Sequence, residues 1–219
     1  MVTARARQGN TPSVKTYKWS LGLLMVTVLG LGWKYPYLGF MVPVVMVAGL
    51  IGSLVKGRVV CGNFCPRGSF FDTWFRPLGG SRTVPDFIRT PLFRWGLLIV
   101  LFSFMTFQLA ADIGNAAHWG TVFWRVCLVT TLIALTAGVL YRPRAWCSFC
   151  PMGTIQGAIG GRRKPMTISS ACSGCGICEK ACPMGLEIAR FKEGGKVLQS
   201  DCLHCGTCIA ACPRHALKE

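Results

Sequence analysis

Cys172, Cys175, Cys178 and Cys182 run up to Pro183, and Cys202, Cys205, Cys208 and Cys212 run up to Pro213. The spacing C-x2-C-x2-C-x3-C-P therefore occurs twice, and it is the spacing by which thiolates hold a pair of 4Fe-4S clusters. In that arrangement the fourth Cys of each run serves the other cluster. One expected ligand set is then Cys172, Cys175, Cys178 and Cys212, and the other is Cys202, Cys205, Cys208 and Cys182. Small residues between the cysteines (Gly174, Gly176, Gly206) let the backbone wrap a cuboidal body with soft ligands. A disulfide framework would suit a secreted chain, and nothing places this segment outside a reducing compartment. Zinc pairs lack the third and fourth Cys of each run.

This C-terminal ferredoxin leaves residues 1–165 of the 219 to be explained. A mean hydropathy of +0.45 with 52% hydrophobic residues is too apolar for a soluble domain, so a membrane portion is expected. The net charge of +16 would point to nucleic acid in a soluble protein. Its distribution decides otherwise: of the 24 Lys and Arg only Lys34, Arg125 and Arg94, the last at the inward end of its stretch, fall outside the segments expected to face inward, and residues 166–219 are near neutral. That is positive-inside topology with membrane lipid as the partner, and nucleic acid is excluded.

Residues 1–18 are polar and basic and read as a cytoplasmic tail; no small-x-small cleavage site marks a signal peptide. Apolar stretches follow at roughly 17–34, 38–55, 93–111 and 119–140, each near the ~20 residues that cross a bilayer as a helix. Trp19, Trp33, Tyr35, Tyr37, Trp95, Trp119 and Trp124 cluster at their ends, as an interfacial belt would have them. The connections 34–37 and 112–118 carry almost no positive charge and face out, whereas 56–92 and 141–165 are rich in Lys, Arg, Pro and Gly and face in. Pro43, inside the second stretch, is expected to kink it or be accommodated by neighbours. The expected location is the bacterial inner (cytoplasmic) membrane, with four spans, and with both termini and the clusters on the cytoplasmic side. The expected fold is an all-α four-helix membrane portion of two hairpins over 19–165, then an α+β two-cluster ferredoxin over 166–219.

Both inward segments open on a related motif. Arg58 to Ser69 contains Cys61, Cys65 and Pro66, and Arg144 to Thr154 contains Cys147, Cys150 and Pro151, with one residue fewer between the cysteines. Each follows a helical hairpin, so the membrane portion reads as two copies of one unit, whose functional groups are expected at the shared interface. Cys61, Cys65, Cys147 and Cys150 are candidates for a third metal centre, iron–sulfur by the echo of the ferredoxin Cys-Pro ending. Two other readings stand beside it: redox-active thiols, and helix-capping turns with reduced cysteines.

After the first Cys-Pro, the spacing of Phe70, Phe71, Trp74 and Phe75 predicts a helix lying in the membrane interface, with a quinone pocket as the other reading. Ile155, Ala158 and Ile159 follow the second. Cys127 reads as a small buried apolar residue. Asp112, His118 and Arg125 are ionisable groups near membrane depth; His118 is a candidate for proton or quinone chemistry, against a plain loop histidine. The chain has no c-type haem motif, no His pair for b haem, no dinucleotide fingerprint and no nucleophile constellation.

Four spans, the motif of Cys61, Cys65 and Pro66, the related motif of Cys147, Cys150 and Pro151, and the C-terminal two-cluster ferredoxin together resemble the NapH-type membrane polyferredoxins, with MauN-, NosR- and CcoG-like relatives. The resemblance covers residues 20–215. It departs in the shorter second motif and in lacking the periplasmic domains of some relatives. It implies a membrane component of a quinol dehydrogenase system, passing electrons between the quinone pool and a partner redox protein or larger respiratory complex. The cofactors implied are two 4Fe-4S clusters, a third iron–sulfur or metal centre, and a quinone. The alternative function is a metal reductase, for copper for example, or a metalloenzyme assembly factor, using the membrane-proximal cysteines; a subunit that chiefly anchors a complex is the third.

Overall fold

The computed structural model describes residues 16–80, 82–161 and 163–218; the tail expected at 1–18 lies outside them up to residue 15. All four apolar stretches become helices, but of unequal length. The first, α1 (Tyr17–Leu31), has 15 residues. At 1.5 Å per residue it spans about 22 Å, short of a ~30 Å hydrocarbon core. It stops where the Trp124 indole lies against Gly32 and donates through Nε1 to the Leu29 carbonyl at 3.2 Å.

The second stretch begins as a 3-10 turn over Pro36–Phe40 and continues as α2 (Met41–Lys56). Pro43 is only the third residue of α2, so it falls where the 3-10 turn gives way to the α-helix and not in the middle of the span. Short helices α3 (Val59–Asn63), α4 (Pro66–Thr73) and α5 (Asp86–Arg89) lead to α6 (Pro91–Ala110) and α7 (Ala116–Leu140). Among the described residues three helices are thus long and apolar enough to cross a membrane, Pro36–Lys56, Pro91–Ala110 and Ala116–Leu140, where the sequence predicted four. Nothing in the α6 window is buried, and Leu92, Ile99, Val100, Phe104 and Phe107 stand exposed, a surface suited to lipid.

Proline sets the helix starts. Pro66 opens α4, Pro91 opens α6, and Pro151 opens α8 (Pro151–Gly160), each at a first-turn position where the missing N–H costs nothing. Thr90 and Asn115 cap α6 and α7 with side-chain oxygens. Within the halves α4 lies on α1 and α8 on α6, and packing crosses between them where α8 lies on α2 and the first 3-10 turn lies on α7.

Phe71 and Phe75 overturn one expectation. They do not face an interface but sit 1% and 7% exposed in a cluster with Ala134, Trp146 and Phe149. Phe71 meets Phe75 edge-on at 5.2 Å, and both press on Gly138 of α7. Only Trp74 of that group is exposed.

The C-terminal part is a three-stranded antiparallel sheet in the order β2-β1-β3, with β1 Met166–Ile168, β2 Lys196–Val197 and β3 Leu217–Lys218. Two short helices, α9 (Ile177–Ala181) and α10 (Thr207–Ala211), pack together beside it. Met166, Ile168, Met184, Leu186, Ile188, Val197, Leu203 and Leu217 form its core, and Cys61 and Cys147 of the membrane portion pack against that core.

Candidate metal centres

The two halves of the ferredoxin repeat one loop. Gly176 and Gly206, at φ 71 and 74, precede α9 and α10 in the left-handed region that only glycine enters freely. Gly174 and Gly185 in the first half correspond to His204 and His215 in the second, and all four have positive φ. These turns fold the cysteines of each run inward. One cavity is lined by Cys172, Cys175, Cys178 and Cys212, and a second by Cys182, Cys202, Cys205 and Cys208. Each run thus sends its last cysteine across to the other run's cavity.

The cavities differ in depth. Cys175 is exposed, and the backbone N–H of Ile177 draws its thiol below the ordinary range. Cys208 is buried, and burial with neighbouring Cys205 and Cys202 pushes its thiol up to about 12.

The second cavity is the one that meets the membrane portion. Arg142 donates to the Cys182 carbonyl at 2.9 Å, Arg89 to the Met184 carbonyl at 2.9 Å, and Asn63 Nδ2 to the His204 carbonyl at 3.2 Å. A Cβ on Gly62 would run into the carbonyl oxygen of Leu203, so the loop between Cys202 and Cys205 lies directly on the residue after Cys61.

Cys61, Cys65, Cys147 and Cys150 come together although the two motifs are about 85 residues apart: all four line a single cavity of about 170 Å³ between the long helices and the Cys-Pro motifs. Cys65 and Cys150 are extended residues immediately before α4 and α8, while Cys61 and Cys147 lie in α3 and in the 3-10 turn Ala145–Ser148. Burial pushes Cys61 up to about 12, and Cys147 up to about 11, although Arg58 and Arg144 pull the other way. Cys61 Sγ lies 3.1 Å from the side-chain oxygen of Gln156, which is 2% exposed.

Several buried donors around this set lack a partner among the described residues: Arg58 Nε, Trp146 Nε1, Ser69 Oγ and Ser148 Oγ. Arg58 and Trp146 also line the cavity. Buried polar groups are ordinarily satisfied, so orphaned N–H donors beside four thiols fit a group that brings its own acceptors, as bridging sulfides do. Among the described residues no three His, Cys, Asp or Glu side chains converge closely enough for a single metal ion, in the ferredoxin cavities or here. Four thiols on one cavity with orphaned N–H donors beside them are the donor set a cluster would use, and on that ground the residues fit it.

Above the cysteines the cavity is apolar, walled by Met25, Val28, Val45, Phe102, Met105 and Phe123 among others. Its one further cation is Arg67, which donates to Thr130 Oγ1 at 2.9 Å and the Cys127 carbonyl at 3.3 Å and lies 5.7 Å from the Trp146 ring. Cys127, expected to be buried and apolar, is buried and beside this guanidinium. His118 is elsewhere: its Nε2 is 2.9 Å from the Gln108 carbonyl across the α6–α7 turn, and it does not line the cavity. Asp112 and Arg125 are exposed.

Sequence reasoning passed over Arg58, Arg144, Asp72, Asp201, Arg67 and Gln156. A signal for the first two was present, since an arginine stands three residues before the first cysteine of both motifs.

Comparison with known proteins agrees with the geometry. Residues 38–85 and 122–169 each match the family described as 4Fe-4S binding domain, and residues 164–213 match the 4Fe-4S dicluster domain. A protein of Escherichia coli (strain K12) named "Putative electron transport protein YccM" is 27% identical over 65% of this chain and 46% of its own length. "Uncharacterized protein MJ0749" of Methanocaldococcus jannaschii is 22% identical over 65% of this chain and 58% of its own. The chain spans about half the length of these curated relatives. No solved structure matches it. By these matches the chain carries 4Fe-4S binding domains, in keeping with the cysteine sets described above.

Proposed function

We propose that the protein is a membrane-bound subunit that passes electrons between the quinone pool and a partner redox protein, as in the NapH-type polyferredoxins. The observation that carries this is a continuous line of three cysteine sets. The apolar cavity opens onto Cys61, Cys65, Cys147 and Cys150; these abut the loop of Cys202 and Cys205; and the set of Cys172, Cys175, Cys178 and Cys212 lies beyond it with Cys175 exposed. In this reading Cys172, Cys175, Cys178 and Cys212 hold one 4Fe-4S cluster and Cys182, Cys202, Cys205 and Cys208 the second. Cys61, Cys65, Cys147 and Cys150 hold a third. The clusters supply one-electron storage at a potential that burial and hydrogen bonds to sulfur adjust.

The chain's own part is placement. Apolar walls admit a lipophilic ring and keep out water, and Arg67 offers the polar contact that orients a quinone oxygen. The short α1 completes a four-helix arrangement with both termini on the cytoplasmic side, supported by the positions of Lys and Arg.

The test is quinol-dependent reduction of the clusters in membranes, joined to iron analysis of anaerobically purified protein. About twelve iron atoms per chain and reduction by a quinol are expected. About eight removes the third centre, and a protein reduced only by a soluble low-potential donor removes the quinol reading.

A further inference from the structure

The two Cys-Pro motifs grip each other. Arg58, three residues before Cys61, donates through Nη2 to the carbonyl of Cys147 at 2.6 Å. Arg144, three residues before Cys147, donates through Nη1 to the carbonyl of Cys61 at 2.7 Å. The exchange extends to the glycines. A Cβ on Gly68, three past Cys65, would come 2.8 Å from Arg144 Nη1, and one on Gly153, three past Cys150, would collide with Arg58 Nη2. Each guanidinium therefore needs a bare backbone in the opposite motif, and each motif supplies one.

The countercharges follow the same two-fold pattern until one position breaks it. Asp72, seven residues past Cys65, takes Arg144 at 2.8 and 2.6 Å and Lys18 at 2.7 Å. The matching residue seven past Cys150 is Gly157, which has no carboxylate and lies against Ser200 and Arg58. Asp201 of the ferredoxin fills the role instead, taking Arg58 at 2.9 Å and Arg94 at 3.0 and 2.6 Å. Lys18 and Arg94 both stand near the start of the first helix of their half.

Four cations, Lys18, Arg58, Arg94 and Arg144, thus face two carboxylates, an excess of two positive charges with side chains 13% exposed or less. Burying that excess is costly unless an anion sits among the groups. Four thiolates around an oxidised 4Fe-4S core, itself 2+, carry two negative charges, and one added electron makes three. Of the four cations, Arg58 lines the cavity of the four cysteines, and Arg67 adds a further one there. The frame is therefore built to hold the centre and to favour its reduced form.

We propose that Arg58 and Arg144 are reciprocal positioning residues for a centre held by Cys61, Cys65, Cys147 and Cys150. Each fixes the place of the opposite motif's first cysteine and raises the potential at which the centre accepts one electron. The inference rests on the third centre proposed above. Both arginines also reach toward the next cluster: Arg58 is tied to Asp201, the neighbour of Cys202, and Arg144, tied to Asp72, feels the charge of Cys205.

The test is redox titration followed by electron paramagnetic resonance, with iron analysis, on the full chain and its R144Q, R144K, R58Q and R58K variants. In R144Q the membrane-side centre is expected to become at least tenfold harder to reduce, about 59 mV for one electron, with the cluster of Cys172, Cys175, Cys178 and Cys212 unmoved. R58Q is expected to shift the membrane-side centre and one ferredoxin cluster. The Lys variants, which keep the charge, should recover most of the shift. About eight iron atoms in the unmodified protein overturns the third centre itself. About twelve, with unshifted potentials in R144Q and R58Q, overturns this inference alone. Loss of the centre from Lys and Gln variants alike also overturns it, because a charge role requires rescue by Lys.

Discussion

The ferredoxin and the membrane-side site each gather four-cysteine sets, and they do so by opposite means. In the ferredoxin, three of four cysteines in a cavity come from seven consecutive residues, and positive-φ turns do the folding. At the membrane-side site two cysteines come from each of two motifs about 85 residues apart, and long side chains do the joining. A local site is specified by backbone conformation and tolerates changes elsewhere. A site assembled across the fold depends on every contact that brings its halves together.

The sharpest way to break this contrast is through the cysteines. Cys205→Ser is expected to remove about four iron atoms and abolish quinol-linked reduction of the outer cluster, because its cavity is the one that meets the membrane portion. Cys61→Ser should remove about four iron atoms as well, yet leave the ferredoxin reducible by a soluble donor. Iron analysis with dithionite and quinol reduction compares the two directly. If Cys61→Ser also emptied the ferredoxin, the two sites would not be separable.

Asp72→Asn tests the dependence on long-range contacts. It leaves Arg144 and Lys18 buried without their carboxylate and is expected to cost about 3 kcal/mol at neutral pH. Burial pushes the Asp72 carboxyl up, but Arg144 and Lys18 outweigh it and hold the carboxyl below its ordinary value of 3.8. A depressed folded value means the contribution is full above the unfolded pKa and is lost as pH falls through the folded one. Thermal unfolding in detergent should therefore separate wild type from D72N at pH 5 to 7, roughly, with the gap narrowing below about pH 4 and closing only once pH has fallen past the depressed folded value.

Gly62→Ala is a smaller probe of the joint between the two regions. The new methyl meets the Leu203 carbonyl, so the ferredoxin loop must shift, at about 2 kcal/mol. Slower transfer from the membrane-side centre with unchanged iron content is expected by rapid-mixing reduction. Gly206→Ala, confined to one turn at φ 74, is expected to cost about 1 kcal/mol and to leave the membrane-side centre at its wild-type potential. A larger effect at Gly206 than at Gly62 would reverse the contrast drawn above.

The same contrast explains what could be read from the sequence. The ferredoxin cavities were legible because ligand spacing and turn glycines are neighbours in the chain. So were the apolar helices, from composition alone, although α1 stops early where Trp124 closes on Gly32, a contact no local pattern announces. Phe71 and Phe75 were misplaced because their helical spacing suits a buried face as well as a membrane interface; Gly138, which receives them, is over sixty residues away. The convergence of Cys61, Cys65, Cys147 and Cys150 was suggested by repetition. The arginines that join them stood in plain view in both copies, but an arginine at an inward membrane edge has an ordinary explanation in topology.

Asp201 also bears on the order in which the chain comes together. Arg58 and Arg94 are made early, 143 and 107 residues ahead of the carboxylate that neutralises them. Until the second cysteine run has been synthesised and docked, one half of the membrane portion lacks its countercharge while the other already has Asp72. Maturation of the membrane half is thereby tied to completion of the ferredoxin. A chain that fails to build the latter retains two guanidiniums in an unneutralised pocket and stays unfinished at its centre.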